Sequence, residues 1–338
     1  MIGDRLRPPG GRLPIALRSV FVLAAASCSG TLDVGKDIPR GQLPVDERNP
    51  VIIYNDSSVD NWLGEYAFLL ANSGGPPVAG IVSTGSSYWR DPNANASGWT
   101  SLVTAARASG LKNIPDVTTS IARPLTRPMD GQVDDTVPNN SAGASLIVNL
   151  SRQLSLPWRP VVILADTQMT DVADAYLIDH SVVERVVVVA ALGIYAAPNG
   201  VMGPPNGELD PWADWIVAQR FQYVQVSAFY DQTVDVTTAE LPDLPSNPLG
   251  AEMAAKQPNI FTITTAADQV SVLAVALPAF VGAVQRAVPD TTAPFDSTQG
   301  PPLIPAANGN VWIVTQIAAP LAGATLWPML LDRTIFGG

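Results

Sequence analysis

The chain is poor in the residues that carry most metal and redox chemistry. It has one cysteine, Cys28, and one histidine, His180. A disulfide framework within the chain is therefore excluded, and so is a metal site built from several thiolates or imidazoles. Charged residues are also scarce, at 14%, and they lean acidic: 19 Lys and Arg stand against 30 Asp and Glu, for a formal net charge of −11. Nucleic-acid backbones are held by clustered cations, so no nucleic-acid partner is expected. Beyond the N-terminus no run of about 18 apolar residues stays free of charge, so no transmembrane helix is expected. Apolar residues are plentiful at 47%, with 31 Pro and 26 Gly to end elements and form turns. Such a chain can bury a sizeable core.

The first residues read as an address rather than as part of a fold. Arg5, Arg7, Arg12 and Arg18 form a basic region containing one acid, Asp4, and a short apolar run follows at residues 19–26. Charged-then-apolar is the pattern of a secretory signal. Ala25-Ala26-Ser27-Cys28 resembles a bacterial lipoprotein box, which implies cleavage before Cys28 and a lipid on its sulfur. Residues 1–27 then form a signal peptide, and residues 28–49 a lipidated cysteine with a flexible tether rich in Gly and Pro. Removing four Arg and one Asp takes the net charge from −11 to −14. The expected location is outside the cytoplasm, in the cell envelope. There the protein is lipid-anchored at a periplasmic or outer surface, with no contact with the membrane beyond the anchor. No composition shift divides the remainder, so residues 50–338 are read as a single domain.

Short apolar runs alternate with amphipathic stretches along that domain. Strands are expected at residues 51–54, 78–83, 161–165, 185–190 and 223–226, and helices at 60–72, 95–109, 142–154, 171–177, 211–220 and 268–288. Val186-Val187-Val188-Val189 has the β-branched character of a parallel strand buried on both faces. Pro211 suits the first turn of a helix, with Asp210 before it as a cap. Segments 126–140 and 241–258 are rich in Pro, Asp and Asn and read as loops. The alternation predicts an α/β fold: a doubly wound, mostly parallel sheet with helices on both faces.

One strand ends in an unusual concentration of polarity. Val51-Ile52-Ile53-Tyr54 runs into Asn55-Asp56-Ser57-Ser58, and then Asp60-Asn61. Ligands of open parallel sheets bind beyond the carboxyl ends of the strands, so Asp56 and Asp60 are candidates to face one crevice. The plainer reading makes Asp56 a turn residue and Asp60 a helix cap.

The stretch resembles the opening of the inosine–uridine nucleoside hydrolases, an apolar strand followed by D-x-D-x-x-x-D-D, here Y-N-D-S-S-V-D-N at Tyr54 to Asn61. The likeness continues in order. Val78 to Thr84 resembles the second strand, Ile114-Pro115 with Arg123-Pro124-Leu125 a "VPV…RPL" segment, and Met169-Thr170-Asp171 the end of an "LGPLTN" turn. Asn206 followed by Asp210-Pro211 matches an "N…DPEAA" spacing, and Ala267-Asp268-Gln269 resembles "HDP".

The resemblance implies a divergent, metal-dependent N-ribohydrolase that cleaves the N-glycosidic bond of a nucleoside or related ribosyl compound. It implies a Ca2+ ion, weakly held, on Asp56, Asn61, the Thr170 backbone carbonyl and Asp268. Asp56 is also the implied base, and Asp60 and Asn206 the implied holders of ribose hydroxyls. Five positions depart from the pattern: Tyr54 and Asn61 replace aspartates, Pro204 a glutamate, Ala267 a histidine, and Ser86 or Ser87 the asparagine after the second strand. An amide at position 61 removes a negative charge and one ligand oxygen, which weakens calcium binding. Two other readings therefore stand beside the enzyme: a non-catalytic ribosyl- or sugar-binding envelope lipoprotein on the same fold, or a scaffold with a vestigial crevice. Self-assembly into a homo-oligomer is left open. His180 is expected at the surface. Trp62, Tyr66, Trp89, Trp99, Trp212 and Trp215 either stack on a base or fill the core, with core favoured by helical spacing for Trp62, Tyr66, Trp212 and Trp215.

Overall fold

In a computed structural model of the chain, the described residues are 42–57, 76–87, 89–191, 206–226, 235–237, 246–256, 263–265 and 269–317. Backbone proximity divides the chain between Asp37 and Ile38, and every described element belongs to the unit Ile38–Gly338. The expected signal peptide and the helix at 60–72 lie outside the described residues.

The described strands are β1 (Val51–Asn55), β2 (Val78–Ser83), β3 (Val117–Thr119), β4 (Val161–Asp166), β5 (Val186–Ala191), β6 (Gln222–Val226), β7 (Asp235–Thr237), β8 (Ile263–Thr265), β9 (Val281–Pro289), β10 (Leu303–Pro305) and β11 (Val311–Ile317). Nine of them form one sheet in the order β10-β9-β11-β6-β5-β4-β1-β2-β3, and β7 and β8 form a separate antiparallel pair. The sheet is parallel from β3 through to β11, with β9 and β10 added antiparallel at the far edge. The described helices are α1 (Pro92–Ala108), α2 (Ala142–Leu154), α3 (Thr170–Ile178), α4 (Pro211–Arg220), α5 (Pro248–Lys256) and α6 (Gln269–Ala276).

Strand alternation sorts the core into two layers. Ile53, Leu164 and Val189 face one cluster, which includes Trp99 and Leu102 of α1, Leu249 of α5 and Val275 of α6. Ile52, Ile163 and Val188 face the other, with Ile147 of α2, Val172 of α3 and Ile216 of α4. Both faces of the central strands are thus covered, which is why they read as continuous apolar runs. Each fully buried Val, Ile or Leu contributes about 1.5–3 kcal/mol of transfer free energy. Helix starts follow from the sequence. Asp91 caps α1 by accepting from the amides of Asn93 (3.0 Å) and Ala94 (3.2 Å), with Pro92 at the first position. Ser141 caps α2 through Ala144 N at 3.1 Å, and Asp210 caps α4 ahead of Pro211.

Several expectations are corrected. Residues 268–288 are not one helix: α6 ends at Ala276, a short turn occupies Pro278–Phe280, and β9 begins at Val281. Pro278 forces the preceding residue out of helical geometry, and Leu277 sits at φ −136°, ψ 62°. Within 241–258, expected as loop, Pro248–Lys256 is helical, with Pro at its start. The helix expected from residue 95 starts at Pro92. The tether expected through residue 49 stops short of it. Leu43 and Val45 are buried in the core, and Asn49 Nδ2 donates to the Pro160 carbonyl at 2.7 Å.

One core residue runs against the apolar rule. Asp214, on α4, is fully buried, and neither of its carboxylate oxygens has a hydrogen-bond partner among the described residues. Burial first, and then the charge of Asp210 one turn earlier, push its carboxyl well above the usual range. A raised folded-state value means that the fold favours the neutral acid. Stability from this group is complete below the unfolded value of about 4 and is lost as pH rises toward the folded one. Asp214→Asn, which keeps the shape without the charge, is expected to raise the urea midpoint at pH 8 by about 1–3 kcal/mol equivalent. That gain should shrink toward zero as the pH is lowered below about 4, the unfolded value. A gain independent of pH would show that charge is not the cause.

Candidate functional site

The strand order reverses between β1 and β4, and an open parallel sheet has its crevice at that point, beyond the carboxyl ends. Both strands end there in polar residues. β1 closes on Asn55 and continues into Asp56 and Ser57; β4 closes on Asp166 and continues into Thr167 and Gln168. The pairing places Asn55 opposite Asp166 on one side and opposite Ser83, the last residue of β2, on the other. Asn55 Oδ1 accepts from Ser57 N at 2.7 Å, which turns the chain sharply out of the strand. Thr84 N donates to the Asn55 carbonyl at 3.0 Å, and Gln168 Nε2 to the Gly85 carbonyl at 2.9 Å, so the strand ends are tied together.

This edge is polar and closed to water. Asp56 is 5% exposed and Asp166 1%. Ser271, in the first turn of α6, donates its one hydroxyl proton across both Asp166 oxygens, at 3.0 and 3.2 Å. The hydroxyls of Ser83, Thr84 and Thr167 are buried without a hydrogen-bond partner among the described residues. An unmet buried hydroxyl costs about 1–3 kcal/mol, so three together mark a place where oxygen donors await something. The donor chemistry at the edge is all oxygen, carboxylate, hydroxyl and amide carbonyl, which fits a hard divalent cation. Among the described residues no group of three or more Asp, Glu, His or Cys side chains is close enough to form a metal cage.

Below the edge, on the α2–α3–α4 side, a second set of carboxylates is engaged in holding the backbone. Asp174 accepts from the amides of Asn139 (2.7 Å), Asn140 (3.2 Å) and Ser141 (2.8 Å), which fixes the entry to α2. Asp210 accepts from Leu125 N (2.9 Å), the Thr170 hydroxyl (2.7 Å) and Ala213 N (3.1 Å). Burial pushes the Asp210 carboxyl up to about 6 against those three donors. Asp171 accepts from the Ser120 hydroxyl at 2.7 Å, and burial raises its carboxyl as well. A side-chain carbon at Gly143 would come within 2.8 Å of Asp171 Oδ2, so the glycine lets α2 close over this carboxylate. Tyr54 points to this side. Its phenol oxygen accepts from Asp171 N at 3.3 Å, and burial, then the Asp171 charge, raise its pKa well above the ordinary tyrosine value.

The residues singled out from sequence divide accordingly. Asp56 stands at the edge. Thr170 is the first residue of α3, with its hydroxyl held by Asp210. Asn206 opens the short turn Asn206–Leu209 just before the Asp210 cap. Asp60, Asn61 and Asp268 lie outside the described residues, as do Trp62, Tyr66, Pro204 and Ala267. Trp99, Trp212 and Trp215 are core residues; the Trp212 indole donates to Thr136 Oγ1 at 3.0 Å and meets Phe295 edge-on at 5.5 Å. Trp89 is half-buried in the turn after β2. His180 is exposed, with its ring stacked on Tyr176 at 4.5 Å. Sequence reasoning missed Asp166, Thr167 and Ser271. The signal for Asp166 was present: Val162-Ile163-Leu164-Ala165-Asp166 repeats the motif of an apolar strand ending in an acid that drew attention to Asp56.

No protein-family model matches the chain, and no curated protein matches it by sequence either. Solved structures do match its fold. An inosine–guanosine nucleoside hydrolase superposes with a TM-score of 0.61 at 14% identity, over 83% of this chain and 98% of the other. An inosine–uridine preferring nucleoside hydrolase from Bacillus anthracis gives 0.59 at 13% identity, over 84% and 99%. The type III effector protein XopQ, complexed with adenosine diphosphate ribose, gives 0.53 at 16% identity, over 88% and 96%. The chain has the nucleoside hydrolase α/β fold, with its mostly parallel central sheet.

The Asp210 cluster joins three separate segments, at residues 125, 170 and 213. Asp210→Ala is expected to cost about 2–4 kcal/mol in urea unfolding at pH 7, since it strips the acceptor from three buried donors. Asp290→Ala, at an exposed turn, should cost under about 0.5 kcal/mol. Equal costs would show that the buried network contributes no more than a surface cap.

Proposed function

We propose that this chain, built on the nucleoside hydrolase fold, is a metal-dependent N-ribohydrolase that cleaves the bond between base and ribose in a nucleoside or a related ribosyl compound. The observation that carries the reading is Asp56. It is a nearly buried carboxylate at the carboxyl end of β1, at the strand-order reversal, in a sequence context that resembles the family's metal-binding strand. The nucleoside hydrolases and the ADP-ribose-bound effector that share the fold support a ribosyl substrate.

The residues that would hold a calcium ion are Asp56, Asn61, the Thr170 carbonyl and Asp268. Bound there, the ion would supply a water of lowered pKa and a fixed position for the ribose hydroxyls. Asp56 takes the proton from the attacking water. Asp60 and Asn206 hold the ribose hydroxyls while positive charge grows on the sugar ring, as in glycoside cleavage. Burial of Asp56 strengthens its interaction with the attacking water.

Losses at Tyr54, Asn61, Pro204 and Ala267 favour a second reading: a ribosyl- or sugar-binding protein without turnover. Under either reading we place the chain at the cell envelope, held by a lipid on Cys28.

With added calcium the enzyme is expected to release p-nitrophenol from a p-nitrophenyl riboside. Asp56→Asn should lower that rate by about 10²-fold or more, measured as kcat/KM by absorbance. Thermal stabilisation by ribose or a nucleoside with no product would instead select the binding reading. For the anchor, Cys28→Ala is expected to move the protein from the membrane fraction to the soluble fraction; an unchanged distribution would rule the lipid out.

A further inference from the structure

The strand that leads to Asp56 ends inside a ring of contacts. β2, β1 and β4 lie side by side and parallel, with β1 in the middle, and their last register line is Ser83–Asn55–Asp166. Beyond that line the three chains stay joined. Thr84 N, one residue past β2, donates to the Asn55 carbonyl at 3.0 Å. Gln168, two residues past β4, donates its side-chain amide to the carbonyl of Gly85, two residues past β2, at 2.9 Å. β2 and β4 flank β1 and are not paired with each other. At twice the strand spacing they stand about 9–10 Å apart. The Gln168–Gly85 bond therefore crosses the end of β1.

Both ends of this strap are fixed. The Gln168 side chain is 2% exposed, so little water competes for its amide, and a hydrogen bond is stronger in such surroundings. On the other side, the Thr84 carbonyl, next to that of Gly85, accepts from Asn95 Nδ2 of α1 at 2.8 Å. The same amide reaches the Trp89 carbonyl at 3.0 Å. Ser86 N donates to that carbonyl at 3.0 Å and Trp89 N to Ser86 Oγ at 3.1 Å, which closes the turn. Two side-chain amides thus grip two consecutive carbonyls, one from α1 and one from the segment after β4.

Asp56 is the residue that leaves β1 at this point. Its backbone is held within its own segment, since Asn55 Oδ1 accepts from Ser57 N at 2.7 Å across it. That turn fixes Asp56 relative to Asn55 but not relative to the strands on either side. A group that takes a proton from a positioned water has to be held to within about 0.5 Å, and a misplacement of about 1 Å costs on the order of 10²-fold in rate. The resemblance assigns no role to Gln168.

We propose that Gln168 is a positioning residue for Asp56: its amide straps the turn after β2 to the turn after β4 and fixes the frame in which the Asp56 carboxylate acts. The inference rests on the reading of Asp56 as the base. Gln168 acts through that carboxylate, so its loss slows the chemical step and leaves substrate affinity nearly unchanged.

The test is hydrolysis of a p-nitrophenyl riboside by the full chain at saturating calcium, with kcat and KM measured separately and folding checked by urea unfolding. Gln168→Met keeps the length of the side chain and removes the donor. It is expected to lower kcat about tenfold or more, with KM within about twofold of the wild type. In an Asp56→Asn background the same substitution should cost less than about twofold, because the group it positions is already gone. If Gln168→Met does not unfold cooperatively, Gln168→Asn serves instead: it keeps an amide one methylene too short to reach Gly85, and the same fall in kcat is expected. Wild-type kcat in the folded variant, beside loss of activity in Asp56→Asn, would overturn this inference and leave the reading of Asp56 intact. Equal losses in the two backgrounds would also overturn it, since Gln168 would then act independently of Asp56. A wild-type chain that releases no p-nitrophenol would overturn both.

Discussion

The structure depends on a parallel sheet covered on both faces. Once helices pack on either side, a polar residue inside β1, β4 or β5 needs a partner within the protein, as the Tyr54 phenol finds in the Asp171 amide. Polarity is pushed to the strand ends. At the β1–β4 reversal the neighbouring connections leave in opposite directions, so the carboxyl ends there are not roofed by a single crossover. That is where Asn55, Asp56, Ser83, Asp166 and Thr167 collect. The apolar core and the polar edge have one cause.

The carboxylates on the two sides of the sheet are used differently. Toward α2, α3 and α4, Asp174 and Asp210 each accept three hydrogen bonds and hold loops and helix starts in one arrangement. Satisfied networks of this kind rigidify a core. Asp214 is the exception, a buried acid without a partner among the described residues, whose burial favours its neutral form. At the edge, unmet hydroxyls gather beside Asp166 instead. Buried donors left unmet inside a network are a defect.

Much of the architecture was legible because its signals are local. Val186 to Val189 reads as a buried parallel strand and Asp210-Pro211 as a helix start, and both are found there. The edge strands were not legible. β9 carries Gln285 and Arg286 between small apolar residues, and its short alternation is lost beside the apolar run before it. Only Pro278 marked the break, and a proline inside an apolar run does not say whether helix or strand follows. Leu43 and Val45 were misjudged for a similar reason. Gly and Pro around them suggest a linker, and only packing against the core pulls them in.

The sequence by itself determined the α/β class, the order of its central strands and helices, and the place of Asp56 after an apolar strand. Each of these follows from periodicity, capping and turn chemistry within a few residues. The tertiary structure alone decided which polar residues share one edge of the sheet. Asp166 lies 110 residues from Asp56 in the chain, and Ser271 lies 105 residues beyond Asp166. They come to one edge because strand register, a contact between distant segments, sets which side chains share a face. No local pattern encodes that register.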